Sequence, residues 1–171
     1  MALWFLRHGE SEANALGLFA GRRVDSPLTH RGRLQARRAA EGLPRDLDWI
    51  VSSPLQRARA TAEIVRDELG LDLAIEVDDR VSEWDMGLVS GTPLRDLDRA
   101  EMVASCGAED LGRFAHRVNQ ALDELVERQG CGLLVAHAGT ADIVLDRLAV
   151  PGQTPPVAPT TMANAAILRI S

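Results

Sequence analysis

Three short apolar runs, far apart in the chain, each end next to residues suited to binding a phosphate group. The runs are Leu3–Leu6, Trp49–Val51 and Leu133–Ala136. The residues that follow them are Arg7 and His8, then Arg57 and Arg59, and finally His137. Parallel strands of an open α/β sheet place their carboxyl ends along one edge, where ligands bind. If the runs are such strands, arginines and two histidines from distant parts of the sequence converge on one pocket.

The order of the other elements predicts an α/β fold in which strands and helices alternate. Further strands are predicted at Leu73–Val77 and Ala165–Ile170. Helices are predicted over about 30–42, 55–69, 94–102, 109–128 and 141–148, with Thr29 and Thr140 as N-caps. The rest of 78–107 and the proline-rich Pro151–Pro159 are predicted to be loops. No repeat or linker divides the chain, which predicts a single domain over residues 1–171.

Size, charge and cysteine usage limit the possible classes of function. The chain has 171 residues and a net charge of -6 at pH 7, which suits one domain and disfavours a nucleic-acid partner. No apolar stretch approaches the ~20 residues of a membrane span, and the first residues resemble a strand rather than a signal segment. We therefore expect a cytoplasmic protein, monomeric or homodimeric. Cys106 and Cys131 are predicted to be reduced thiols, with a disulfide as the alternative.

The two histidines at strand ends are the first candidates for chemistry. A lone histidine in such a place more often only bonds the backbone, but His8 lies between Arg7 and Gly9. A glycine there would let a phosphoryl group approach the backbone, and a neutral imidazole is a good nucleophile near pH 7. His137 repeats the pattern and would be a second donor to phosphate. If cationic, it would stabilise charge in the transition state.

An arginine and a glutamate complete the candidate set. Only one of Arg57 and Arg59 can face the sheet edge easily, because residues two apart on a helix diverge. Arg57 shares a helical face with Thr61, and the arginine fork matches pairs of phosphate oxygens. Glu83 by default is an exposed acid. Beside Trp84 it would be partly desolvated, which would raise its pKa toward the range where it protonates a leaving oxygen.

Five segments, in this order, resemble the histidine phosphatase superfamily, also called the phosphoglycerate mutase-like family. They are Arg7–Asn14, Pro27–Ala36, Ser52–Ala62, Glu83–Gly91 and Val135–Gly139. The resemblance covers nearly the whole chain. It implies a three-layer α/β/α sandwich with a mostly parallel central sheet.

By motif position, the resemblance implies a covalent phosphohistidine mechanism with His8 as the nucleophile. Arg7, Arg57 and His137 would hold the phosphoryl oxygens, and Glu83 would give a proton to the leaving group. The further residues placed around the substrate are Asn14, Gly21 and Ala138. No metal or organic cofactor is implied.

The chain departs from the family pattern at several positions. Ala138 stands where the family usually has a second glycine, which predicts a slightly tighter phosphate pocket, and Ser90 replaces a common glutamate. The loop at Gly21–Asp25 is one residue longer. The stretch between the Glu83 region and the helix before His137, predicted over about 109–128, lacks the insertion of true mutases. This predicts a reduced lid over the pocket.

A reduced lid admits water, which favours hydrolysis over transfer between substrates. The expected activity is therefore that of a phosphatase acting on a small phosphorylated metabolite. The stretch from Gly21 to Leu28 is similar to that of the α-ribazole phosphatase branch. The alternatives are a cofactor-dependent phosphoglycerate mutase, a protein phosphohistidine phosphatase and a non-catalytic phospho-ligand sensor. Glu83 argues against the second, because a phosphoramidate leaving group needs less help from an acid.

Overall fold

One five-stranded sheet organises the parts of the chain that the computed structural model describes, residues 2–94, 99–148 and 162–171. The strands are β1 (Ala2–Arg7), β2 (Trp49–Ser52), β3 (Ile75–Val77), β4 (Cys131–Ala136) and β5 (Ile167–Arg169). Their order is β3-β2-β4-β1-β5. The first four strands are parallel, and β5 pairs antiparallel with β1. The predicted mostly parallel sheet is therefore confirmed.

Helices flank this sheet on both faces. Those formed by the described residues are α1 (Glu12–Ala15), α2 (His30–Glu41), α3 (Gln56–Glu68), α4 (Arg99–Cys106), α5 (Leu111–Glu127) and α6 (Ala138–Leu148). Single 3-10 turns lie at Asp79–Val81 and Gly87–Val89. All of these helices are too short or too polar to cross a membrane.

Side chains at alternate positions along the strands pack into two separate hydrophobic cores, one on each face of the sheet. Phe5 and Val51 pack with α5 and α6 on one face of the sheet. Leu6 and Ile50 pack with α2 and α3 on the other. Successive strand residues point to opposite faces, so neighbours in sequence reach different cores. The result is the three-layer α/β/α arrangement that the sequence predicted.

The predicted helical faces are confirmed where the apolar periodicity is strong. In α3, Ala58, Ala62 and Val65 are fully buried, and the helix stops just before Gly70, which has a φ of +68°. The apolar residues that α5 likewise buries are spaced three and four apart: Phe114, Val118, Ala121, Leu122 and Leu125. The two thiols are free, as predicted.

The start of α6 corrects one prediction. The helix begins at Ala138 rather than near 141, because the N–H of Ala141 already donates to the carbonyl of His137 at 2.9 Å. Thr140 therefore lies inside the helix and is not its cap. Its hydroxyl donates to the carbonyl of Val81 at 3.3 Å. The helix thus begins directly where β4 ends, which brings its N-terminus into the candidate site.

Smaller differences concern the loops and short elements. Glu12–Ala15, for which the sequence predicted no helix, form α1, and the described part of the helix predicted over 94–102 is Arg99–Cys106. The strands predicted at Leu73–Val77 and Ala165–Ile170 are each shortened to three residues. The loop predicted at Pro151–Pro159 lies outside the described residues.

The role predicted for Gly9 also needs correction. A Cβ atom at Gly9 would overlap the carbonyl group of Gly32, and a Cβ at Gly32 would overlap the backbone of Glu10. The first turn of α2 therefore crosses directly over the chain that follows β1. Thr29 caps this turn by accepting from the N–H of Gly32 at 2.9 Å. The room that Gly9 leaves is filled by the helix backbone rather than kept for a phosphoryl group.

Candidate active site

The register of β1 and β4 brings the two histidines together. Arg7 pairs with Ala136, and the N–H of His8 donates to the carbonyl of Ala136 at 3.0 Å. His8 and His137 each follow directly, at the carboxyl edge of adjacent strands. Their ring centroids lie 5.1 Å apart in an edge-to-face arrangement. The convergence inferred from strand ends is therefore present in the structure.

The hydrogen bonds of His8 show which ring nitrogen carries the proton and which keeps its lone pair. Nδ1 lies 2.7 Å from the carbonyl oxygen of Gly9. A carbonyl only accepts, so Nδ1 carries the proton and Nε2 keeps its lone pair. The Nε–H of Arg57 donates to that Nε2 at 3.2 Å. The unprotonated ring nitrogen of His8 therefore lies beside a guanidinium.

Arg57 is held rigidly although it is charged and only 1% exposed. Its Nη1 donates to the carbonyl of Val24 at 2.9 Å, and its Nη2 donates to the carbonyl of Gly21 at 2.8 Å. The Oδ1 atom of Asp25 lies 4.0 Å from Nη1 of Arg57. Gly21 therefore orients this arginine through its backbone. Arg59, the alternative from the sequence, lies exposed on the surface.

Arg7 supplies the second cation of the site. Its Nη1 donates to the carbonyl of Met162. Burial lowers the pKa of the Arg7 guanidinium from its ordinary value, while the carboxylates of Glu83 and Asp142 raise it. Burial lowers the pKa of Arg57 in the same way, opposed by Glu83 and Asp25. Both side chains remain cations at neutral pH. Arg7 also lowers the pKa of Arg57, and both arginines lower the pKa values of the two histidines.

Both histidines are neutral in the folded protein at neutral pH. Burial, and next the charge of Arg57, hold the pKa of His8 well below its ordinary value. Burial and Arg57 act on His137 in the same direction, with smaller contributions from His8, Arg7 and Arg117. For His8 this is the form that a nucleophile requires. For His137 it means that, without an anion, the site does not hold the cation considered from the sequence.

Ser53 is a site residue that sequence reasoning missed. Its hydroxyl lies 2.7 Å from Nε2 of His137 and accepts from the N–H of Leu55 at 3.3 Å. If the hydroxyl donates to Nε2, the ring proton of His137 lies on Nδ1. That Nδ1 is buried and has no hydrogen-bond partner among the described residues. A buried polar atom of this kind is suited to a ligand oxygen.

Glu83 lies at the N-terminus of α6 and is 6% exposed. Its Oε1 accepts from the N–H of Trp84 at 2.9 Å and from the N–H of Gly139 at 3.2 Å. A Cβ atom at position 139 would overlap the same oxygen. The burial expected beside Trp84 is present. Gly139 is needed here to leave room for the carboxyl group, and Ala138 before it starts the helix.

Asn14 and Asn164 support the backbone that carries His8. Oδ1 of Asn14 accepts from the N–H of Ser11 at 3.2 Å and from Nδ2 of Asn164 at 3.2 Å. Nδ2 of Asn164 also donates to the carbonyl of His8 at 3.2 Å, and the N–H of Ala165 donates to it at 3.1 Å. With its oxygen occupied, Asn14 keeps its amide protons for another partner. No sequence signal pointed to Asn164.

The buried histidines make stability depend on pH. Their folded-state pKa values lie below the ordinary value of about 6.5, so the unfolded chain binds more protons as the pH falls through that range. Stability is therefore lost below about pH 6.5 and does not depend on these groups above it. We expect the Tm to fall between pH 7 and pH 5.5, and the fall to be smaller in the His137→Gln variant.

Thermal unfolding followed by circular dichroism across that range measures the effect. His116→Gln, on the exposed side of α5, is the matched control and should keep the wild-type slope. A wild-type Tm that rises towards pH 5.5 would contradict the assignment of neutral, buried histidines.

The comparisons with known proteins agree with the fold. The chain belongs to the histidine phosphatase superfamily (branch 1), whose sequence profile matches residues 3–171. The family predicted from the sequence is thereby confirmed, and with it the enzyme class, a phosphoric monoester hydrolase. Among the described residues, no group of three or more His, Cys, Asp or Glu side chains is placed to hold a metal ion.

Particular relatives carry more specific names. The chain is 33% identical over 157 residues to "Putative phosphoserine phosphatase 2" of Hydrogenobacter thermophilus, covering 84% of this chain and 76% of that one. It is 31% identical over 163 residues to the adenosylcobalamin/alpha-ribazole phosphatase of Salmonella typhimurium, covering 86% and 79%. A mycobacterial glucosyl-3-phosphoglycerate phosphatase, solved with VO3, superposes with a TM-score of 0.77 at 29% identity, covering 98% of this chain and 91% of that one.

Proposed function

We propose that this protein hydrolyses small phosphate monoesters through a covalent phosphohistidine on Nε2 of His8. The observation that carries the proposal is the Nε2 lone pair, buried beside a guanidinium 3.2 Å away. In the first step, Nε2 bonds to phosphorus, the bond from phosphorus to the leaving oxygen breaks, and Glu83 gives that oxygen a proton. In the second, water attacks the phosphohistidine, Glu83 takes back a proton, and inorganic phosphate leaves.

The charges around Nε2 suit a phosphoryl group in transfer. Arg7 and Arg57 bring fixed positive charge, and Nδ1–H of His137 is a further donor to the same oxygens. Such groups, oriented in advance in a site of low dielectric, stabilise developing negative charge without reorganisation. A neutral His8 that gains a dianionic substrate forms no unfavourable cation pair with Arg57 before the reaction begins.

We favour hydrolysis over transfer between substrates because the stretch after Glu83 lacks the insertion of true mutases, and a reduced lid would admit water. The substrate class we favour is the phosphate ester of an aliphatic alcohol, because such a leaving group needs the proton that Glu83 can give. Phosphoserine and α-ribazole phosphate, suggested by the names of two relatives, belong to this class. No metal ion takes part in the proposed steps, and the cytoplasmic location stays a prediction.

The leaving group provides the test. We expect the wild type, in excess chelator, to release phosphate from 4-nitrophenyl phosphate and from members of a panel of aliphatic phosphate monoesters. Glu83→Gln should lower kcat/KM, which reports the first step, for the aliphatic esters by about 10²–10⁴-fold. With 4-nitrophenyl phosphate, whose leaving group needs no proton, kcat/KM should stay within roughly tenfold. Glu127→Gln, exposed near the end of α5, is the control.

Three other outcomes would reject the proposal in different directions. Transfer of the phosphoryl group to a second hydroxyl instead of water would indicate a mutase. Binding of the esters without release would indicate a sensor. Release from phosphohistidine peptides but not from esters would indicate a protein phosphohistidine phosphatase.

A further inference from the structure

The loop that carries Glu83 is docked on a single arginine of α5. Arg117 donates from Nη1 to the carbonyls of Arg80 and Ser82, each at 2.7 Å, and from Nη2 to the carbonyl of Glu83 at 3.1 Å. Its Nε and Nη2 also donate to the two carboxylate oxygens of Glu109, each at 2.8 Å. All five N–H donors of the guanidinium are therefore in use.

Glu109 holds the following part of the same loop. Its carbonyl accepts from the indole N–H of Trp84 at 2.7 Å, and its N–H donates to the carbonyl of Asp85 at 2.8 Å. Its Oε2 accepts, at 3.4 Å, from the N–H of Asp85. Side chains of this pair are only 15% and 17% exposed. The loop from 80 to 85 thus takes its shape from two residues that lie far from it in sequence.

We propose that Arg117 and Glu109 are positioning residues that fix Glu83 for proton transfer. The proposal rests on the proposed function, since it assigns to Glu83 the role of acid. A proton donor must lie within hydrogen-bond reach of the leaving oxygen, and a displacement of about 1 Å can cost ~10²-fold in rate. The carbonyl of Glu83 itself accepts a hydrogen bond from Arg117, so the pair acts directly on the residue that carries the acid.

The pair serves this purpose better than simple charge would. The guanidinium is a planar, rigid fork that binds a carboxylate in a bidentate manner and still reaches neighbouring carbonyls. A lysine has three donors on a flexible stem and cannot reproduce this pattern. Arg117→Lys therefore keeps the charge and removes the geometry.

The kinetic expectation follows from the leaving group. Arg117→Lys should lower kcat/KM for an aliphatic phosphate ester by about 10–100-fold, while kcat/KM for 4-nitrophenyl phosphate stays within roughly threefold. Orthovanadate should bind with the wild-type Kd, because the residues that face the anion come from β1, α3 and the end of β4. A merely structural role would instead lower both activities together.

A double-mutant cycle makes the test sharper. In a Glu83→Gln background the acid is gone, so adding Arg117→Lys should have no further effect on the aliphatic ester. Glu109→Gln keeps one acceptor for the fork and should show a smaller loss in the same direction. Arg113→Lys, one turn earlier on α5 and exposed, is the matched control and should behave as wild type.

Hydrogen exchange gives a readout that does not depend on turnover. In Arg117→Lys and in Glu109→Gln, amides in the peptide that covers 80–85 should exchange faster, with other peptides unchanged. Unchanged exchange in this peptide, equal losses on both esters, or additive effects with Glu83→Gln would each overturn the positioning role. Failure of the proposed function is seen separately, as a wild type that releases no phosphate from any ester.

Discussion

The His8→Ala variant is expected to lose at least about 10⁴-fold in phosphate release, because the covalent route depends on its nucleophile. No neighbouring group can take over. Nε2 of His137 is engaged by Ser53, and Arg7 and Arg57 are cations without a lone pair to give. The carboxyl group of Glu83 is held by the N–H groups of Trp84 and Gly139. The loss should be large for aliphatic and aryl esters alike, since the same bond from Nε2 to phosphorus must form whichever leaving group departs.

The phosphoenzyme itself is the more direct measurement. Wild-type protein mixed with a ³²P-labelled ester and quenched within milliseconds should carry label that is stable to alkali and labile to acid, as a phosphoramidate is. His8→Ala should carry none, whereas His116→Ala, altered on the exposed side of α5, should label normally. Turnover or labelling that survives His8→Ala would remove the basis for the mechanism.

The Arg57→Lys variant is expected to lose about 10²–10³-fold in kcat/KM, the effect typical of removing one preorganised donor from a charge-stabilising site. The substitution keeps the charge but removes the planar fork. Nε2 of His8 then loses its donor, and the carbonyls of Gly21 and Val24 lose their partners. The loss should appear with both classes of ester, which distinguishes it from the loss caused by Glu83→Gln.

Arg59→Lys makes a closely matched control, because it is the same change two residues along the same helix on a side chain exposed to solvent. It should retain wild-type activity. Thermal unfolding of Arg57→Lys separates loss of the site from loss of the fold, and weakened orthovanadate binding in a folded variant is the expected finding. Full activity in Arg57→Lys together with a loss in Arg59→Lys would reverse the assignment.

Much of the fold follows from local patterns in the sequence. The apolar runs at Leu3–Leu6 and Leu133–Ala136 predict strands because they are short, continuous and end on polar residues. The spacing of Ala58, Ala62 and Val65 predicts a helix with one buried face, and these residues are buried as expected. The predicted ends of helices and strands were less accurate. Thr140 was predicted as an N-cap but lies inside α6, because a helix can start directly at a strand end without a side-chain cap.

Some residues of the candidate site could likewise be predicted from the sequence, and others could not. Arg7, His8 and His137 could be placed together because each lies at or directly after the end of a strand, and strand ends share an edge. Arg117 and Ser53 were given no role, because nothing in their own spacing shows which backbone groups or ring atoms they meet. Glu109 is an ordinary acid in sequence and becomes informative only through the arginine that it orients.

The sequence by itself determined the layered architecture, the family and the residues at the strand ends, because these depend on periodicity and on motifs read along the chain. The tertiary structure alone decided that strand register brings His8 next to His137 and that Nε2 of His8 keeps its lone pair. It also decided that Gly139 leaves space for the carboxyl group of Glu83 and that Arg117 and Glu109 hold the loop of Glu83. These features depend on contacts between residues far apart in sequence, whose distances and hydrogen bonds are set only when the sheet and its helices pack together.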